Sequence, residues 1–412
     1  MNTFIRQLTG VRFVAAFWVL MYHYQPALAT LGVLVPVVHE FIRVGSLGVD
    51  LFFTLSGFIL SYTYLHKLGP AFKARAAGHF LWLRLARIYP VHFVMLNIAG
   101  LAVVAQGIVG SEDAAARSWL NPWSYIKQLL LIQEWGPNPS RGWNFVAWSL
   151  SMEWLAYLLM PFVGLVLWRL RDRAPTWLLA VFAFLCLSPL MWIGITRDND
   201  PFLTMNWASS IRVLSEFIAG GFVYLVVRRL NGEHGPSEMV RTAAFWLACL
   251  IPIGIVGLSF ALGSIGSLQW PGLENEAPRA YIVIVPFLVA WIGALALTDR
   301  GPSAFLSHRR LVLGGFISYS LYMVHIVWWG LWRAGMRAIG IDGGPLYLIG
   351  VVGLFVMAIV FAYLMWRLVE EPAREWLRSK IGAPTKPIEE ATEEAEEAGQ
   401  TSPGSPGSAS AG

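Results

Sequence analysis

Charge is what this chain has least of. Asp, Glu, Lys and Arg make up 13% of its 412 residues, against 56% hydrophobic side chains. Soluble domains carry about 25% charged residues, so this share excludes an ordinary soluble globular protein. Cysteine is nearly absent. Cys186 and Cys249 sit in apolar runs, read as packing residues, and give neither a disulfide framework nor a metal site. No G-x-S-x-G elbow surrounds Ser56, Ser149 or Ser151, and membrane serines mostly bond the backbone or a neighbouring helix. A serine nucleophile, a bound metal, a soluble domain and an internal repeat are therefore not expected.

What the chain has is long apolar runs. Windows of about 20 residues give ten candidate spans: 9–31, 45–66, 87–109, 146–168, 175–195, 207–227, 242–262, 279–298, 311–334 and 346–369. The expected fold class is an all-α polytopic membrane protein. With the N-terminus in the cytoplasm, both termini and the basic loops share one side, which collects 21 of the 30 Lys and Arg against 9 on the other. The positive-inside rule supports that orientation. Arg6, Arg12, an apolar run and Ala27-Leu28-Ala29 imitate a signal peptide, but His23 and its two flanking tyrosines suit an apolar core poorly, and many spans follow.

The net charge of +5 hides a split. Residues 381–412 hold six Glu and one Lys, a net −5, which leaves +10 for residues 1–380. That excess lies in alternate short loops, so it reads as topology and not as a nucleic-acid footprint. Residues 1–375 are expected to form one membrane domain. Residues 376–412 are expected to be a tail, Glu-rich and then Ser/Pro/Gly-rich, of disordered composition. On the outer side, 110–145 contains WSYIKQLLLIQEW (123–135), too short and polar to span, which reads as an interfacial or re-entrant helix. The outer loop 263–278 is rich in Gly and Pro.

The first span carries Arg12 and His23, eleven residues apart. That is about three helical turns, so both share a face, separated by roughly 16 Å. Ala15, Ala16 and Val19 lie between them and predict a shallow groove. Intramembrane ionisable groups are functional candidates. Counted from the outer ends of their spans, His23, Asp50 and Glu153 are expected within a few Å of one another in depth. A carboxylate there could fix the tautomer of His23 and stabilise its imidazolium; as plain helix caps, Asp50 and Glu153 would do neither. Arg84 and Arg87, at i, i+3 in a basic loop, share a helix face and suit a phosphate, with ordinary loop charge as the competing reading. Arg212 and Glu216 form an i, i+4 pair that reads best as structural. Tyr22, Trp148, Ser149, Tyr322 and His325 are further candidates for the wall of a cavity, His325 equally as a core histidine.

Several stretches together resemble the acyltransferase family 3, the membrane-embedded O-acyltransferases of bacteria. They are LTGVRFVAAFWVLMYH (8–23), GVDLFFTLSGFILS (48–61), RLARIYPVHF (84–93), WSLSMEW (148–154), ISYSLYMVH (317–325) and VEEP (369–372). One departure is Trp154, where the family usually has a second polar residue after the glutamate. The resemblance implies about ten core helices in the inner membrane. It also implies acyl transfer, commonly acetyl, from cytoplasmic acyl-CoA as co-substrate to a carbohydrate hydroxyl at the outer face. Arg12, Arg84 and Arg87 would hold the CoA phosphates, the groove on the first helix would admit the pantetheine arm, and His23, oriented by Glu153 or Asp50, would act as general base or be transiently acylated. The competing class is a transporter or flippase of a glycan. It suits the buried charges but gives the Arg-x-x-Arg stretch no purpose and would be expected to show repeated halves. The outer Trp residues (Trp119, Trp123, Trp135, Trp143, Trp270) suit sugar stacking, although interfacial anchoring explains most of them.

Overall fold

The computed structural model describes residues 5–32, 35–108, 121–136, 142–196, 207–269 and 279–382. The Trp119 and Trp270 positions, most of the 263–278 loop and the tail beyond residue 382 fall outside them. Every regular element among the described residues is a helix. In chain order these are α1 (Arg6–Thr30), α2 (Pro36–Arg43), a 3-10 turn (Gly45–Leu47), α3 (Gly48–Leu68), α4 (Ala74–Ile108), α5 (Pro122–Leu129), α6 (Ala147–Leu170), α7 (Thr176–Leu185) and α8 (Ser188–Thr196). They continue with α9 (Ala208–Asn231), α10 (Glu238–Gln269), a 3-10 turn (Arg279–Ile284), α11 (Val285–Ala296), α12 (Pro302–Leu306), α13 (Arg309–Ala338), α14 (Gly344–Met365), a π turn (Trp366–Glu370) and α15 (Glu371–Ser379).

Among the described residues, eight helical segments are long and apolar enough to cross a membrane. The chain is thus a polytopic membrane protein. Two expected spans are missing from the eight. α1 has 25 residues, but Arg12, Tyr22, His23, Tyr24 and Gln25 make it too polar. The expected 279–298 span is a 3-10 turn followed by a helix of only 12 residues. The expected 175–195 span is broken at Cys186 and Leu187 into α7 and α8. The stretch expected as a basic loop before residue 87 is helical, because α4 already begins at Ala74. Hydropathy finds the apolar part of a helix and misses a polar extension made of good helix formers.

Four helices form the centre. α13 runs alongside α1, and α9 alongside α3. Small residues bring the backbones together, as is usual where helices pack without a hydrophobic driving force. A Cβ on Gly48 would lie 2.5 Å from the Ala15 carbonyl and 2.8 Å from Val19 Cγ2. A Cβ on Gly57 would overlap the Phe217 carbonyl, and one on Gly220 the Thr54 carbonyl. Gly57→Ala is expected to push α3 off α9 and cost about 1–3 kcal/mol, read as a lower unfolding temperature in detergent; an unchanged temperature would contradict this packing.

The segment after residue 121 turns into the bundle. Asn121 caps α5 by accepting from the Ser124 N–H at 2.7 Å. Gln128 donates to the Gly142 carbonyl and Gln133 to the Ala147 carbonyl, at 3.1 and 2.7 Å. Trp135 donates to the Ser151 carbonyl and Ser209 to Glu134, at 3.2 and 2.8 Å. Gln128 and Gln133 are fully buried, while Trp123, Ile126 and Leu130 are exposed. The segment is therefore fastened to the bundle by its polar side chains, with an apolar edge left exposed. Buried polar backbone needs hydrogen-bond partners, and these side chains supply them. The start of α6 lies beneath it, with Asn144, Val146 and Ala147 buried.

Candidate active site

One elongated cavity of about 210 Å³ lies where α1, α3, α4, α6, α13 and α15 meet. Each helix lines it at helical spacing. α3 contributes Val49, Phe52, Phe53, Ser56, Ile59, Leu60, Thr63 and Tyr64; α6 contributes Ser149, Glu153 and Tyr157; α1 contributes Leu8, Thr9 and Arg12. From Val49 to Thr63 the α3 stripe runs about 21 Å at 1.5 Å per residue.

One end of the cavity is basic. Arg12, Arg84, Arg87, Arg374 and Arg378 all reach its wall. Arg84 donates to the Tyr64 hydroxyl at 3.0 Å, with its guanidinium 5.2 Å from that ring. Glu370, fully buried, accepts from Ser320 at 2.6 Å and feels the charges of Arg87, Arg374 and Arg12. It ends the π turn, a distortion frequent at functional sites. Trp82 ties α15 to α4 by donating to the Leu377 carbonyl at 2.9 Å. Arg374 and Arg378 are not among the site residues expected from the sequence. Their i, i+4 spacing after the VEEP motif was the available signal, and the expected domain boundary at 375 cuts through the helix that carries them.

The middle of the cavity holds Glu153. It accepts from Tyr157, one turn along α6, and from Ser56 at 3.4 Å. At the far end, the Tyr322 hydroxyl lies 2.8 Å from Ser149 Oγ and donates to the Val146 carbonyl at 3.2 Å. Ser149 and Tyr322 line the cavity. Tyr22, Trp148, Arg212, Glu216 and His325 do not belong to its wall.

Three expectations are corrected here. The groove on α1 is filled, because Gly48 of α3 seats on Ala15 and Val19, leaving Ala15, Ala16 and Val19 buried. The open path runs along α3 instead. Second, the three groups expected at one depth are stepped. Glu153 meets Ser56, six residues and about 9 Å further along α3 than Asp50. His23 is beyond the start of α3, since Gly45 already packs against Trp18 and Tyr22. The helix ends are not coplanar: α1 overshoots α3, and α6 begins beneath the segment that carries α5. Third, no carboxylate meets His23 among the described residues. Asp50 is gripped by Arg212 through Nε at 2.8 Å and through a second, shorter contact of its other guanidinium nitrogen. Glu216, expected as the structural partner of Arg212, is paired with it as well, at 4.0 Å from its Nε, so the guanidinium serves two carboxylates. The Arg212 guanidinium also stacks 5.6 Å from the Trp148 ring centre.

The partner of His23 is His325, with Nδ1 of His23 3.1 Å from Nε2 of His325. Two backbone carbonyls, which only accept, decide the tautomers. The Val19 carbonyl lies 3.0 Å from His23 Nδ1 and the Tyr322 carbonyl 2.7 Å from His325 Nδ1. Both rings therefore carry their proton on Nδ1. His325 Nε2 accepts from His23, which leaves the free lone pair of the His23 ring on Nε2. Tyr22 packs edge-on against the His23 ring at 4.9 Å. Tyr24 donates to the His325 carbonyl at 3.0 Å. The Tyr322 ring touches His325 at 5.7 Å between ring centres and also closes the cavity. His23 itself is half-buried. No cluster of metal-ligating side chains occurs among the described residues.

Known proteins frame this geometry. Residues 5–367 match the acyltransferase 3 family, described as an acyltransferase domain. The acyltransferase MdmB of Streptomyces mycarofaciens is 28% identical over 404 residues, which are 92% of this chain and 94% of the relative. Nodulation protein 10 of Rhizobium leguminosarum bv. viciae is 26% identical over 357 residues, 82% and 84% of the two chains. A putative O-acetyltransferase of Staphylococcus aureus (strain COL) is 22% identical over 383 residues, 90% of this chain but 58% of the relative. No solved structure matches. A family match over nearly the whole length, on a helical membrane bundle with a basic-ended cavity, makes the chain a member of the acyltransferase 3 family and a membrane acyltransferase.

Proposed function

We propose that the protein moves an acyl group, acetyl by preference, from cytoplasmic acyl-CoA to a carbohydrate hydroxyl at the outer face of the cell's inner membrane. In this reading α1 and the short helix after residue 279 complete ten spans, both termini are cytoplasmic, and the membrane domain runs through α15 ahead of a separate tail. The carrying observation is the single cavity that joins five arginines at one end to Ser149 and Tyr322 at the other. A donor with an anionic head and a long neutral arm fits that distribution. The arginines grip phosphate bidentately. The arm lies along the α3 stripe, where Ser56 and Glu153 can accept from its amide N–H groups. The thioester then arrives at Tyr322, with the His325–His23 pair behind that ring.

There the acceptor oxygen attacks the thioester carbonyl. The C–S bond breaks, His23 Nε2 takes the hydroxyl proton, and that proton leaves with the thiolate as free CoA thiol. His23 Nε2 can equally attack first and carry the acyl group outward, because the same tautomer serves both routes. Asp50 acts on this centre only through the packing of α3.

The test is reconstitution in vesicles with acetyl-CoA inside, following thiol release with and without glycans outside. Acceptor-dependent release supports the reading. Transport of a glycan without any thiol release would replace it with the flippase reading. Arg84→Ala is expected to raise the KM for acetyl-CoA about tenfold, the scale of one charged hydrogen bond, while the KM for the acceptor holds. A change in the acceptor KM alone would reject the phosphate role of the basic end.

A further inference from the structure

A second recess, of about 570 Å³, opens beside the basic end of the main cavity. Tyr62 stands in the walls of both. The recess is built from three rings, Tyr62, Trp168 and Tyr224, and two guanidiniums, Arg171 and Arg228. Tyr62 and Tyr224 meet edge to face with ring centres 5.9 Å apart. The Arg171 guanidinium covers the Trp168 ring at 3.1 Å. A further hollow of about 290 Å³ continues past Tyr62, Tyr224 and Arg228 to Asn231.

The charges there are unbalanced. Arg171 Nε and Arg228 share one carboxylate, Asp172, at 2.6 and 3.2 Å. Two guanidiniums thus share a single carboxylate, beside Leu65 and His66 in the same wall. The Asp172 side chain is 57% exposed, so it can yield to a competing anion at small cost. The frame is firm by contrast. Arg229 donates from Nε to the Arg171 carbonyl at 2.8 Å and from its terminal nitrogen to the Ala174 carbonyl at 3.2 Å. Those bonds hold the turn that carries Arg171.

Rings beside guanidiniums match a nucleotide, whose base stacks on aromatic faces and whose phosphate takes bidentate arginine. We infer that this recess binds the 3′-phosphoadenosine end of the acyl-CoA donor. The inference rests on the acyl-CoA reading above and adds a division of labour to it. The arginines of the main cavity hold the diphosphate, the arm runs up α3, and the chain of the ligand bends at Tyr62 so that the base lies among the three rings. The 3′-phosphate meets Arg171 and Arg228 in place of Asp172.

The experiment compares acetyl-CoA with acetyl-3′-dephospho-CoA, on wild type and on the Arg171→Gln, Arg228→Gln double variant, in the same vesicles. The readout is the ratio of kcat/KM for the two donors, which does not depend on how much of each preparation is folded. Wild type is expected to prefer the phosphorylated donor by about tenfold or more, and the double variant to lose that preference. A double variant that keeps the full preference overturns the site, as does a wild type that shows none. Thiol release from neither donor overturns the acyl-CoA reading and the subsite with it.

Discussion

His23→Ala is expected to lower acyl transfer by about 10²–10⁴-fold, the usual cost of losing a general base, with the KM for acetyl-CoA unchanged. The separation of effects follows from the geometry. The arginines proposed to hold the donor lie at one end of the cavity, and His23 lies past the other end, beyond the His325 that touches Tyr322. Removing the imidazole leaves the proposed phosphate contacts intact and takes away the Nε2 lone pair proposed as the base. His325→Ala tests the same centre from behind. Without His325 Nε2 as acceptor, the His23 ring is held by the Val19 carbonyl alone, so kcat is expected to fall by less than in His23→Ala, again without a change in the donor KM. Equal thiol release by wild type and His23→Ala would remove His23 from the mechanism. A labelled acyl group retained on wild-type protein without acceptor, absent from His23→Ala and accompanied by ping-pong kinetics, would select the covalent route; retention on neither would select direct transfer.

What the sequence could disclose depended on range. The i, i+3 spacing of Arg84 and Arg87 is a local property of one helix, and both do reach the basic end, although on α4 and not in a loop. The stripes of α3 and α6 are equally local, and Ser149, Glu153 and Tyr157 could be read as one face from spacing alone. The pairings that organise the centre are not local. His23 and His325 are 302 residues apart, Arg212 and Asp50 162. Spacing within one helix says nothing about such pairs. Depth counted from span ends was the only bridge between helices, and it failed because it assumes the ends lie in two planes. The buried start of α6 and the overshoot of α1 break that assumption by two turns of helix. The groove on α1 failed for a related reason. Small residues predict that something fits against them, and here the occupant is the backbone of α3 at Gly48.

Arg212→Met is expected to destabilise the bundle by about 3–5 kcal/mol, the cost of breaking a buried pair from one side. The Asp50 side chain is 1% exposed, that of Glu216 0% and that of Arg212 12%, so two carboxyls would be left in the interior with no guanidinium. Such a loss should appear as a clear drop in unfolding temperature in detergent. A drop no larger than that of a surface substitution would mean that the cluster is solvated and adds little. The same cluster separates a structural role from a catalytic one. Replacing a whole buried ion pair by apolar groups of similar size is often neutral or stabilising, so Asp50→Leu, Glu216→Gln and Arg212→Met together are expected to recover most of the lost stability. If Asp50 acts only by fastening α3 to α9, the triple variant should recover acyl transfer with its fold. Recovery of the fold without transfer would return Asp50 to the catalytic centre, and the proton path would then run from His23 inward along α3.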